Sequence, residues 1–249
     1  KPELPGIPFF AVPSTAGTGS EATPNAVLTN SITGEKLSIR SEHMTAQAVF
    51  LDPELLLSAS RAVIAGSGMD ALTQAIESYF SRNSSLFTDW LAEKAFVLTA
   101  QSLEKVFSVC GKNQIINEHS SLMAGSFMAG MSLAQARLGL VHGLAHPLGS
   151  LYHIPHGELC AFLLPYILKI NREQVKIKYD KLSSLVNCDL QSWVSELNQK
   201  LQIKNPFQGK KLLSGAFIIN QTLISGSTAA NPVKADRQMI NNLLSEFFL

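Results

Sequence analysis

The grain of this sequence changes near residue 58, and that change limits the fold more than any other feature. Up to residue 57 the apolar runs are short and β-leaning, "IPFFAVPST", "NAVLTN" and "AQAVFLDPEL", with Gly, Pro, Asn and Thr between them. From residue 58 the runs lengthen to several helical turns each: "SGMDALTQAIESYFS", "FTDWLAEKAFVLTAQSLEKVF" and "SLMAGSFMAGMSLAQARLGL". Near the end, Met239, Ile240, Leu243, Leu244 and Phe247 fall on one helical stripe. The pattern predicts a mainly α protein in two units, strands and loops over 1–57 and a helical domain over 58–249. Three short strands without neighbours seldom make a stable sheet, so the β part is expected to belong to a larger N-terminal unit that the sequence lacks.

Composition narrows the function classes. At 46% hydrophobic residues the chain can bury a sizeable core. Lys plus Arg is 20 against 19 for Asp plus Glu, and no basic run is interleaved with aromatics, so nucleic acid is not an expected partner. No apolar run reaches the roughly 18 residues of a membrane span, and "KPELPGIPFF" has no signal-peptide core. Cys110, Cys160 and Cys188 are odd in number, far apart and without a CxxC pair, which argues against a disulfide framework and a cysteine zinc site. These features together predict a cytoplasmic protein with no membrane partner.

Three stretches can carry chemistry. "GLVHGLAHPLGSLYHIPHGE", residues 139–158, holds four of the six histidines. His142 and His146 are four apart and share a helix face, Pro147 is expected to kink or end that helix, and His156 follows a loop. Imidazoles converging in this way suit zinc or iron(II); the alternative is a set of scattered hydrogen-bonding histidines. In "GSGMDALTQAIESY", Asp70 and Gln74 share a face near the start of a helix, either as oxygen donors or as a first-turn carboxylate and a surface amide. "PSTAGTGSEAT", residues 13–23, offers backbone N–H groups and hydroxyls to an anionic or amide-bearing ligand. It matches neither the dinucleotide fingerprint nor a P-loop, and alone it reads as a Gly-rich turn.

In this order and wording, the three stretches closely resemble the signature segments of the iron-containing (group III) alcohol dehydrogenases, within the dehydroquinate synthase-like superfamily. "FLDPEL" and "NPVKADRQMINNLL" extend the resemblance from residue 8 to residue 247. It implies an α/β domain that binds NAD or NADP followed by an all-helical domain that carries a metal. This chain matches the last β part of the first domain and the whole of the second. The upstream Gly-Gly-Gly-Ser pyrophosphate loop has no counterpart in the sequence, so the chain is expected to turn over poorly.

Carried over by position, the resemblance makes Asp70, His142 and His156 metal ligands, with Gln74 where the family usually has histidine. Iron(II) is the expected metal, with zinc or another divalent ion as the alternative, because an amide oxygen is a harder donor than imidazole. His146 matches the histidine beside the substrate that relays a proton. Ser14, Thr15, Thr18 and Lys36 match positions near the nicotinamide and its ribose, and His153 matches no functional position. The implied reaction is hydride transfer between NAD(P) and a small alcohol, aldehyde or ketone in a homo-oligomer. The other readings are a non-catalytic metal-binding or oligomerisation domain and a lyase-type relative such as dehydroquinate synthase.

Overall fold

The computed structural model describes residues 4, 6–29, 36–110 and 115–248. It is mainly α, as the periodicity predicts. Two small sheets come first. β1 (Phe10–Ala11) pairs in parallel with β4 (Ala48–Val49), and β2 (Asn25–Thr29) pairs antiparallel with β3 (Lys36–Arg40). Each strand of the parallel pair is two residues long, and Phe10 and Phe50 lie largely exposed beside it.

After a 3-10 turn at Pro53–Ser58, ten helices follow among the described residues. They are α1 (Arg61–Phe80), α2 (Leu86–Ser108), α3 (Ile116–Ala136), α4 (Leu140–Tyr152), α5 (His156–Asn171), α6 (Lys176–Leu185), α7 (Leu190–Lys200), α8 (Gly215–Ile224), α9 (Gly226–Ala230) and α10 (Arg237–Phe247). Side-chain caps fix several starts: Ser60 accepts from the Val63 N–H of α1, Ser85 and Thr88 form a capping box at α2, and Asp236 caps α10. The stripe read in the sequence is the buried face of α10, with Ile240, Leu243, Leu244 and Phe247 in the core and Met239 half-buried.

α1 is the central helix. Every residue from Gly68 to Phe80 is buried, with α2, α3 and α5 packed around it. A helix buried on all sides has no polar face to give to water, so each polar side chain on it needs a protein partner or a ligand. Thr73 and Ser78 return to their own helix, bonding the carbonyls of Met69 and Ala75. Asp70, Gln74 and Glu77 do not.

Two sequence expectations need correction. Asp70 was expected near a helix start, but α1 begins at Arg61 and Asp70 lies mid-helix, so the helix N-terminus cannot account for it. Pro147 was expected to kink or end its helix; it does not end it, since α4 continues to Tyr152. Leu140 to Ala145, Pro147 and Leu148 are all buried, and packing on this scale outweighs the roughly 3 kcal/mol that an interior proline costs.

Candidate metal centre

The site starts from the polar stripe of α1. Asp70, Gln74 and Glu77 are spaced four and three residues apart, so they line one face of the helix, and all three are buried. The Gln74 amide, one turn from Asp70, helps to lower the pKa of that carboxyl, while its Oε1 is buried with no hydrogen-bond partner among the described residues.

α4 supplies the second wall. It starts at Gly139, which has no capping side chain, so the first N–H groups of the helix need acceptors from elsewhere. The Leu140 N–H donates to Asn231 Oδ1 at 3.1 Å, and the Val141 N–H donates to Glu77 Oε1 at 2.7 Å. The second Glu77 oxygen accepts from His142 Nδ1 at 2.6 Å. One carboxylate thus caps a helix and fixes the orientation and tautomer of the imidazole in its first turn. His142 Nε2 is left facing Asp70 Oδ1 at 3.2 Å.

α5 supplies the third wall. His156 is its first residue, with Nε2 3.7 Å from Asp70 Oδ1. One turn on, the buried Cys160 places Sγ 3.5 Å from His156 Nε2 and 3.8 Å from His142 Nε2. One donor atom each from Asp70, His142, His156 and Cys160 all lie within 4.8 Å of one another. Asp70, His142 and Cys160 form the closed inner side, and His156, its side chain 38% exposed, forms the rim.

The charges agree with a centre that wants a cation. Burial works to lower the His142 pKa, but Cys160, Asp70 and Glu77 hold it well above the ordinary imidazole value. His156 is raised chiefly by Cys160, against its own burial. Burial works to raise Asp70 and Cys160, yet the two imidazoles pull both below their usual values, with the Gln74 amide adding to the effect at Asp70.

The predicted residues thus fall into two places. Asp70, Gln74, His142 and His156 come together. His146 lies on the solvent side, exposed, its ring stacked on His156 with centroids 5.4 Å apart. His153 is an exposed residue with φ 53° between α4 and α5, a loop histidine as expected. Ser14, Thr15 and Thr18 are exposed on the loop after β1. That loop lies against α1 and α3: a Cβ on Gly17 would stand 2.7 Å from that of Ser67, and a Cβ on Gly19 would stand 2.7 Å from the Gly130 Cα. Lys36 opens β3, and its side chain lies outside the described residues.

Sequence reasoning missed Glu77 and Cys160. The signal for Glu77 was its place seven residues after Asp70. The signal for Cys160 was its place four residues after His156, the same spacing that drew notice at His142 and His146.

Comparison with known proteins covers nearly the whole chain. Residues 64–248 match the family model described as "Fe-containing alcohol dehydrogenase family, C-terminal", and residues 1–53 match "Iron-containing alcohol dehydrogenase". The chain is 37% identical over 182 residues to lactaldehyde reductase of Escherichia coli strain K12, an alignment that takes in 73% of this chain and 46% of that protein. It thus spans about half the length of the curated relatives it first matches. Among solved structures, 1,3-propanediol oxidoreductase superposes with a TM-score of 0.92 at 31% identity, covering 99% of this chain and 68% of the other. Sulfoacetaldehyde reductase from Bifidobacterium kashiwanohense, solved in complex with NAD+, superposes with a TM-score of 0.88 at 26% identity, covering 97% and 65%. No helix among the described residues is long and apolar enough to cross a membrane.

Proposed function

Because the chain belongs to the iron-containing alcohol dehydrogenase family, we propose that it is the metal-holding part of an NAD(P)-dependent dehydrogenase that interconverts small alcohols with aldehydes or ketones. The observation that carries this reading is the convergence of Asp70, His142 and His156 from three helices at the centre of the core. The residues fit a divalent ion on two further counts. The buried Gln74 Oε1 lacks a partner, which a cation beside Asp70 would satisfy. His142, its Nδ1 committed to Glu77, turns Nε2 towards Asp70 and Cys160, where it can serve as a ligand atom.

In this reading Asp70, His142 and His156 hold the ion, with Gln74 as a further oxygen donor. A divalent metal held there would supply Lewis acidity to ease deprotonation of the substrate hydroxyl, with NAD(P) as the hydride acceptor. The chain's own residues do the remaining work. The buried wall of Asp70 and His142 keeps water from the inner side, and the rim at His156 leaves one side open to substrate. His146, outside that rim and stacked on His156, passes the substrate's proton to solvent. Ser14, Thr15, Thr18 and Lys36 receive the nicotinamide and ribose, on a unit of residues 1–57 that precedes the helical domain of 58–249. The partners are a small alcohol or aldehyde and further copies of the chain, in a reducing cytoplasm that suits three free cysteines.

The test is elemental mass spectrometry on the purified chain beside Asp70→Ala and His156→Ala. Near-stoichiometric divalent metal, lost in both variants while they stay folded, is the expected result. A folded wild-type chain that carries no metal and gains no thermal stability from added iron(II) or zinc overturns the reading.

A further inference from the structure

We propose that Cys160 binds the divalent ion directly through Sγ, so that Asp70, His142, His156 and Cys160 form a mixed oxygen, nitrogen and sulfur centre that favours zinc. The inference deepens the reading of this site as a metal centre and rests on it; Cys160 takes the fourth position given above to Gln74, and a substrate oxygen would add as a fifth ligand on the His156 side.

The first support is geometric. A tetrahedral ion with bonds of about 2.0–2.1 Å to nitrogen and oxygen and about 2.3 Å to sulfur sets edges of about 3.4 Å between O and N donors and about 3.6 Å between N and S donors. The O to N separations at this site are 3.2 and 3.7 Å, from Asp70 Oδ1 to His142 Nε2 and His156 Nε2. The N to S separations are 3.5 and 3.8 Å, from Cys160 Sγ to His156 Nε2 and His142 Nε2. These four edges agree with the tetrahedron to within about 0.3 Å of the spacing the bond lengths require, and all four donor atoms lie within 4.8 Å of one another. Sγ stands between the two ring nitrogens, within reach of both, so the sulfur and the nitrogens face one common point.

The second support is the chemistry of the neighbours. Gln74 Oε1, on a residue 3% exposed beside this cluster, has no partner among the described residues. An amide oxygen there is a weak, hard donor, and by itself it moves the centre away from soft divalent ions. A thiolate reverses that preference, because sulfur ligands select zinc over hard oxygen-loving cations. Charge also closes: the Asp70 carboxylate and the Cys160 thiolate together neutralise a dication. On binding, the S–H bond is exchanged for a metal–sulfur bond and the proton leaves to solvent. Placement adds to this, since one turn of α5 carries both His156 and Cys160 and positions both donors together.

Cobalt(II) makes the sulfur visible. The purified chain loaded with cobalt(II) is expected to show a near-ultraviolet thiolate-to-cobalt charge-transfer band. The band persists when Cys110 and Cys188 are both replaced by serine, and it disappears in Cys160→Ser and Cys160→Ala. Zinc affinity, read by chelator competition, falls in both Cys160 variants by roughly a hundredfold or more, beyond what loss of an outer partner costs. Cobalt that binds the wild-type chain, is released by Asp70→Ala and gives no charge-transfer band overturns the role of Cys160 and leaves the metal centre standing. No cobalt bound by the wild-type chain overturns both. The spectrum of the chain without Cys110 and Cys188 decides the matter even if a Cys160 variant fails to fold.

Discussion

The contact that sets the distance between Asp70 and His156 is made by two glycines, and it yields a sharp test. Gly157, next to His156, lies against the backbone of Gly66, one turn before Asp70 on α1. A Cβ on Gly157 would overlap the Gly66 carbonyl and stand 2.9 Å from its Cα. Carbon atoms settle at about 3.5–4.0 Å, so the Cα alone requires about 0.6–1.1 Å of separation and the carbonyl requires more. Both sides are backbone, with no flexible side chain to turn away. Metal sites tolerate errors of about 0.2 Å in ligand distance, so a shift of this size between α1 and α5 pulls His156 out of reach. Gly157→Ala is therefore expected to cost about 1–3 kcal/mol of apo stability by overpacking and to weaken zinc binding by about 10–100-fold, as loss of a supporting partner does. Gly66→Ala is the matched control at the same contact. Its Cβ meets nothing nearer than 3.8 Å, so the gain in helix stability of about 0.5–1 kcal/mol should appear. Chemical unfolding and calorimetric zinc titration of the two variants read both effects. A Gly157→Ala chain with wild-type stability and affinity, or a Gly66→Ala chain as damaged as its partner, would refute the packing argument.

Three further outcomes are expected. Glu77→Gln, which removes the charge holding His142 Nδ1 at 2.6 Å, should lower zinc affinity about 10–100-fold in chelator competition; unchanged affinity would show that Glu77 does not tune the imidazole. Asn231→Ala takes away the acceptor of the Leu140 N–H and both bonds to the Asn171 amide. It should cost about 1–3 kcal/mol for each buried group left unpaired in urea unfolding, and a loss within error would sink the cap assignment. Burial works to raise the Asp189 carboxyl, but the Ser192 N–H and Arg172 hold it below the ordinary value of 3.8. A depressed folded pKa contributes stability above the unfolded value and loses it as the pH falls through the folded one. The wild-type advantage over Asp189→Asn should thus be present at neutral pH and close below about pH 4; an advantage that grows in acid contradicts the sign.

Local periodicity made much of this architecture legible. α1, α2 and α10 follow from the spacing of their apolar residues, and Asp70 with Gln74, or His142 with His146, follow from helical geometry. Partners far apart in sequence were not legible. His142 meets Glu77 across 65 residues and Asp70 across 72, and no local pattern encodes where α4 lands on α1. That landing turns Glu77 from one more polar residue into the cap of α4. Pro147 did not end α4 because the rule for an isolated helix omits the packing of one that is mostly buried. Cys160 escaped because cysteine was weighed by its distance from other cysteines, whereas its partners at this site are nitrogen donors.

The same long-range contacts explain why the centre can be rigid without help from the β part. Its donors sit on α1, α4 and α5 alone, and each helix is placed by contacts that involve no donor atom. Gly66 against Gly157 sets α1 and α5. Asn231, bonded to the start of α4 and to Asn171 at the end of α5, ties those two helices to the segment after α9. The positions of the candidate ligands are thus set by the helical core, the condition under which an ion would bind without a reorganisation cost. The loop that carries Ser14, Thr15 and Thr18 touches this core by way of Ser67 and Gly130, and Ser67 lies three residues before Asp70 on the same helix. In the proposed reading the metal and the nicotinamide would both be placed from one element, α1, and the ion would account for the polar residues on a face that the centre of a core would otherwise exclude.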